Sequence, residues 1–362
     1  MSILPSHIKI ALEDSKKSGL YRSMTLCDAA STDLCSNDYL GLSKQNQNRY
    51  NLSGSTGSRL LSGNSEYHLK VEEVAGLYFS GSALLYNNGY QANTGILPCI
   101  AKRRDLFLYD EHIHASTRAG IVLSNASSWS FKHNNLYNLK NKLEKAEGKY
   151  DNIYILCEGL YSMRGSICPL EELLALAEKH KAFVIIGQAH SGGIFGKKGK
   201  GISLEYADHP HMLLRLYPLG KAFNSSGCIA ISSQELKEYQ INYSRSFIYS
   251  TALSAGVCQH ILDNIHLVEK AEDERKKLAL IIDYWNNQEL DSVSRNQGPI
   301  QFIYLPREKH ESAKTLFREA GINLFSIRYP SVSIDDEGFR VVLHSYNNQQ
   351  QIDDLFKIIA RI

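Results

Sequence analysis

Between residues 82 and 232 the chain repeats one pattern: a short apolar run, then a stretch with helical periodicity. The runs are SALLY (82–86), DLFLYD (105–110), SSWSF (127–131), NIYILC (152–157), AFVII (182–186), LLRLY (213–217) and CIAIS (228–232). Apolar runs of this length read as strands buried on both faces, and amphipathic helices between them argue for a largely parallel sheet. Near residue 254 the pattern changes to a long helical stretch, SAGVCQHILDNIHLVEKAEDERKKLALIIDYW. Beyond it come strand-like PIQFIYL (299–305), helix-like ESAKTLFREAG, strand-like INLFSIR and GFRVVLH, and a closing helix QQQIDDLFKIIARI. The fold class expected is α/β: a large, mostly parallel-sheet domain with a smaller α+β domain. The boundaries expected are an N-terminal arm and helix over 1–47 that joins the small domain, the large domain over 48–250, a linking helix over 251–290 and the small domain over 291–362. A chain of 362 residues suits about two domains.

Composition excludes several classes. With 43% hydrophobic and 22% charged residues the chain is neither disordered nor fibrous. Lysine plus arginine number 40 against 38 acids, so there is no general attraction to nucleic acid or to an anionic membrane. No window reaches about 18 uninterrupted apolar residues, so no membrane span is expected. The seven cysteines are scattered and form no CxxC pair, which argues against a disulfide framework or thiolate metal site and for a reducing compartment. The N-terminus lacks a signal-peptide core. A cytoplasmic protein without a metal centre is the expectation.

In open parallel sheets, ligands sit beyond the carboxyl ends of the strands. The polar residues found there are Asn88-Gly89-Tyr90, His112 and His114, Glu158 and Ser162, Gln188 and His190, and Lys221. Asn88-Gly89-Tyr90 at a strand-to-helix turn suits a phosphate, though it equally suits an ordinary glycine turn. It matches neither GxGxxG nor a P-loop. Lys221, in LYPLGKAFNSSG, has either a desolvated amine fit for Schiff-base chemistry or an exposed one after a turn. His114 and His190 are open to a structural reading as well.

Taken together, these positions resemble the α-oxoamine synthase family of fold-type I pyridoxal-phosphate enzymes along almost the whole chain. The matching pieces are Ser36-Asn37-Asp38-Tyr39-Leu40-Gly41-Leu42, Gly54 through Gly63, Asn88-Gly89-Tyr90-Gln91-Ala92-Asn93, and Asp110 through Ser116. They continue with His133-Asn134, Glu158 to Ser162-Met163, Ala189-His190-Ser191, Gly220-Lys221-Ala222, Arg245 through Leu253, Ile327-Arg328 and Arg340. The resemblance implies a homodimer whose cofactor is pyridoxal 5'-phosphate. It implies that Lys221 holds the cofactor covalently and moves a proton, that His114 stacks on its ring, and that His190 and Ser162 contact the ring oxygen and bound substrate. Asn88, Gly89 and Tyr90 would cradle the phosphate, with Ser250 and Thr251 reaching it from the other subunit. Arg328 would clamp the carboxylate of a small amino acid, and Asn37 falls in the substrate-binding set. The substrates implied are such an amino acid and an acyl-CoA or acyl-carrier thioester; the nearest branch joins a pimeloyl thioester to L-alanine with loss of CO2, glycine or serine being the alternatives.

Four departures from the family pattern fall at cofactor-facing positions. Where the family reads Asp-Glu-Ala-His, this chain has Gly187-Gln188-Ala189-His190, which removes the carboxylate that pairs with the pyridine nitrogen. Without an anion there the ring is a poorer electron sink. Gln188 is no substitute, because neighbouring strand side chains point to opposite faces. Pro218 replaces a threonine, Arg164 and Ser166 replace two acids, and Asn224 replaces a glycine. Two functions follow from these features: an acyltransferase with an impaired cofactor site, or a non-catalytic homologue that binds the cofactor or an acyl carrier.

Overall fold

The computed structural model describes residues 14, 17–19, 32–34, 39–41, 55, 57–61, 63–329, 332, 334 and 337–362. The helix expected near 4–18 therefore lies almost wholly outside the described residues. After a short strand β1 (Thr32–Asp33), the seven apolar runs become β2 (Ser82–Tyr86), β3 (Leu106–Asp110), β4 (Ser127–Phe131), β5 (Ile153–Glu158), β6 (Phe183–Gly187), β7 (Met212–Pro218) and β8 (Cys228–Ser232). They form one sheet in the order β2-β8-β7-β6-β5-β3-β4. β4, β3, β5, β6 and β7 pair in parallel, and β8 runs antiparallel to both of its neighbours.

Period-two alternation splits the side chains of this sheet between two apolar layers. Phe107, Leu156, Ile185 and Leu216 pack with Ile96 and Leu97 of helix Gly89–Ile100. Leu106, Leu108, Ile155 and Ile186 face the other way, onto Leu139 and Leu143 of helix Leu136–Ala146 and Leu173 and Leu174 of helix Leu170–Lys179. All six residues of β5 are buried, as expected of a strand covered on both faces. Helices Glu66–Phe79 and Ala255–Lys270 cover β2, β8 and β7. No helix among the described residues is long and apolar enough to cross a membrane.

The stretch after 254 is not one linking helix. It forms Ala255–Lys270 and Glu272–Asn286, separated by Ala271 at φ −78 and ψ 43. Glu272, Asp273 and Glu274 favour a fresh helix N-terminus, because three acids there meet the positive end of the dipole. The Val268 carbonyl at the end of the first helix accepts from the Arg275 guanidinium at 2.7 Å. INLFSIR likewise divides, into β10 (Ile322–Asn323), which pairs with β1, and β11 (Phe325–Ile327). β11 joins β12 (Gly338–Val342) and β9 (Ile300–Tyr304) in an antiparallel three-stranded sheet. Trp285, Phe317, Phe339 and Leu355 form the core around it.

Helices Gly89–Ile100 and Ala115–Leu123 approach closely at Gly120, where a Cβ would lie 2.4 Å from the Asn93 carbonyl oxygen. Backbone cannot yield as a side-chain tip can. Gly120→Ala is therefore expected to destabilise the protein by about 2 kcal/mol, read as a lower urea midpoint at unchanged slope.

Candidate active site

The carboxyl ends of β3, β5, β6 and β7 meet the N-termini of helices Gly89–Ile100 and Ala115–Leu123 around one cleft. Gly89, Tyr90, His114, Ser162, Gly187, His190, Pro218 and Lys221 line it, together with Asn93, His112, Thr117 and Glu158. Asn88 stands at the rim as helix cap: its side chain accepts from Gln91 N at 2.9 Å, leaving the amides of Gly89 and Tyr90 as first-turn donors at the positive helix end.

Not every expected residue reaches the cleft. The Arg328 guanidinium pairs with Glu311 at 2.7 Å and contacts His310 Nδ1 at 3.3 Å, so an acid and an imidazole of its own neighbourhood hold it away. A guanidinium that does act on the site is Arg340, which donates to the Ser162 carbonyl at 2.6 Å and bears electrostatically on His190 and Lys221. Thr251 bridges to Ser58 and accepts from Asn87 Nδ2 at 2.7 Å; neither it nor Ser250 lines this chain's own cleft. Asn37 lies outside the described residues.

The cleft disfavours charge on its bases. Burial lowers the pKa of Lys221, which Glu158 partly opposes and Arg340 reinforces. Burial and then Lys221 lower His114, whose Nδ1 accepts from the Ser116 amide at 3.1 Å; the ring proton therefore sits on Nε2. Burial, Lys221 and Arg340 push His190 well down. Tyr39, wholly buried and 2.6 Å from His190 Nδ1, has its pKa raised by burial and keeps its hydroxyl proton. Because the Arg340 guanidinium donates to the Tyr39 oxygen, the hydroxyl proton is turned to Nδ1, which places the proton of His190 on Nε2 as well.

Across from Gly187 stands a carboxyl group whose position one sequence does not reveal. Glu158 at the end of β5 is the register partner of Gly187 on β6. A Cβ on Gly187 would lie 2.3 Å from Glu158 Oε2 and 2.8 Å from its Cδ, so the carboxyl group fills the space that a side chain at 187 would take. Gly187 itself supplies no anion, and the carboxyl group that lines the cleft stands on β5. Burial raises the Glu158 pKa to about 7, against the attraction of Lys221 and a backbone hydrogen bond from His114. Gln188 points elsewhere, its Oε1 accepting from the Ser191 hydroxyl.

Three further departures have physical readings. The Pro218 ring packs where a Cβ on Gly89 would be, 2.8 Å from its Cγ, and makes an apolar wall at the helix end. Ser166 accepts or donates at 2.7 Å to His133 Nε2, while His133 Nδ1 meets Asp110 at 2.9 Å. Asp110 also accepts from the amides of His112 and Asn134, so the Asp110, His112 and His133 cluster is tied together by hydrogen bonds beneath the cleft. Asn224 sits at φ 44, a left-handed conformation that asparagine tolerates where glycine is common. The Arg164 carbonyl accepts from Asn296 Nδ2 and ties its loop to the segment before β9.

An amine of suppressed charge, two neutral imidazoles, a helix N-terminus and one carboxylate make a donor set that fits an aromatic aldehyde carrying a phosphate. The family model for aminotransferase class I and II matches residues 30–359. The 8-amino-7-oxononanoate synthase of Geotalea daltonii is 32% identical over 97% of this chain and 96% of its own. The solved 8-amino-7-oxononanoate synthase of Francisella tularensis is 28% identical, with a TM-score of 0.78 over 92% of this chain and 98% of that one. Serine palmitoyltransferase of Sphingomonas wittichii, at 22% identity, shares the fold with a TM-score of 0.86 over 99% of this chain and 98% of that one. The chain belongs to the aminotransferase class I and II family and, within it, to the pyridoxal-phosphate-dependent α-oxoamine synthases.

Proposed function

We propose that this enzyme transfers an acyl group from a thioester to a small amino acid with loss of CO2, using L-alanine and a pimeloyl thioester as 8-amino-7-oxononanoate synthase does. The observation that carries this reading is the Lys221 amine in one cleft with His114 and His190. Relatives with that name at 32% identity across nearly the full length support the substrate pair. Pyridoxal phosphate, when bound, supplies the electron sink that makes an α-proton removable.

The chain supplies the rest. Lys221 Nζ, whose charge burial disfavours, is placed to bond an aldehyde and afterwards to take the α-proton. His190 Nε2–H donates to an oxygen in the cleft, its orientation fixed by Tyr39. His114 walls one side, and the Gly89 and Tyr90 amides receive a phosphate. With Arg328 paired to Glu311, the positive field of Arg340 beside Lys221 suits the amino-acid carboxylate. The exposed apolar side chains Leu61, Val122, Leu123 and Tyr249 suit a homodimer, which would bring Ser250 and Thr251 to a partner's phosphate site.

The test is thiol release from pimeloyl-CoA by the holoenzyme. Release that requires L-alanine, with the matching aminoketone found by mass, is the expected result. A lysine-bound cofactor with no thiol release from any pairing of alanine, glycine or serine with pimeloyl, acetyl or palmitoyl thioesters would overturn it in favour of a non-catalytic homologue.

A further inference from the structure

We propose that in this chain Glu158, rather than a residue on β6, is the carboxylate that meets the ring nitrogen of pyridoxal phosphate. The inference rests on the cofactor assigned under the proposed function and goes beyond it, because it places the ring's charge partner on a different strand from the one the family pattern uses.

Three observations carry it. Glu158 and Gly187 face each other in the parallel register of β5 and β6, and the carboxyl oxygens of Glu158 lie 2.3 and 3.2 Å from the point where a Cβ on Gly187 would begin. An aspartate at 187 would need that volume, so the glycine and the position of Glu158 belong together. Among the described residues that line the cleft, Glu158 is the one carboxylate. The nearest other acid, Asp110, already accepts from His133 Nδ1 and from the amides of His112 and Asn134.

The chemistry follows from burial. Glu158 is 8% exposed, and no cation within salt-bridge distance of it stands among the described residues. Lys221 attracts it only from farther away. A buried carboxyl without a close cation tends to hold its proton, and a pyridine nitrogen brought against it shares that proton in a charge-assisted hydrogen bond. When that proton passes from the carboxyl oxygen to the nitrogen, a protonated ring stands beside the Glu158 carboxylate, one charge balancing the other. Gln188 does not compete, because its side chain is held by Ser191 and lies against Gly159 and Gly201.

The test reads the ring nitrogen directly, by 15N NMR of holoenzyme loaded with ring-labelled pyridoxal phosphate at pH 7. The wild type should show a protonated nitrogen. Glu158→Gln should lose that signature, since an amide donates to a neutral nitrogen instead. The double variant Glu158→Ala with Gly187→Asp, which empties that volume and moves the carboxylate to the neighbouring strand, should regain it; a purely structural Glu158 would show no such rescue. Should Glu158→Gln fail to fold, Glu158→Asp, which withdraws the carboxylate by one methylene, is read in the same way. A ring still protonated in Glu158→Gln overturns the assignment while leaving the cofactor reading intact. Absence of any Lys221-dependent cofactor absorbance in the wild type overturns both.

Discussion

Lys221→Ala is expected to lower turnover by about a thousandfold or more and to abolish the lysine-dependent cofactor absorbance, while leaving the fold intact. The size follows from one side chain having two tasks, covalent attachment and proton transfer. Its placement is rigid: Ala222 and Phe223 are buried directly after it, and the Asn224 amide closes a turn onto the Lys221 carbonyl at 2.8 Å. The lowered pKa has a consequence for stability that separates chemistry from structure. Between the lowered folded value and the ordinary lysine value the unfolded chain binds the extra proton, so below that window the amine opposes folding. Removing it should leave the cofactor-free protein at least as stable at neutral pH, measured by urea unfolding. Turnover within tenfold of wild type would remove Lys221 from the mechanism.

The fold was legible because burial on both faces makes strands read as apolar runs, and all seven of them settle into one sheet. The division of the 254–285 stretch was harder to see. Helical periodicity continues across Ala271, and the break depends on Arg275 reaching back to Val268. In the cleft, Lys221, His114 and His190 stand where polar residues after strands were expected. Glu158 was visible as one of those residues, but its bearing on Gly187 depends on the pairing of β5 with β6, which no local pattern encodes. Arg328 and Arg340 could not be ranked from sequence, because Glu311 and Ser162 decide where each guanidinium points.

Glu158 should make the cofactor-free protein lose stability, relative to Glu158→Gln, as pH rises from about 4.5 to about 7, against a rise from the buried histidines that both proteins share. Glu158 has an ordinary value of 4.5 that burial raises to about 7. Within this interval the folded chain keeps a proton that the unfolded chain has released. The contribution is therefore whole below the unfolded value, declines as pH rises, and levels off above the folded one. At about 1.4 kcal/mol per pH unit the full difference is about 3 kcal/mol. Glutamine resembles the protonated acid at every pH, so the variant should match wild type near pH 3.5 and exceed it by a value approaching that figure at pH 8. Lys221 titrates with the opposite slope, and Asp110 and the His114 amide also act on the carboxyl. The comparison is therefore cleanest in a Lys221→Met background, where the carboxyl titrates without the amine. Urea unfolding at the two pH values measures it, and equal pH slopes with and without Glu158 would refute the account. The same reasoning bears on the cofactor: a protonated ring nitrogen beside Glu158 offsets the cost of its ionisation, so loading the enzyme should flatten the slope seen without cofactor. A slope that survives loading would place the positive ring atom away from Glu158.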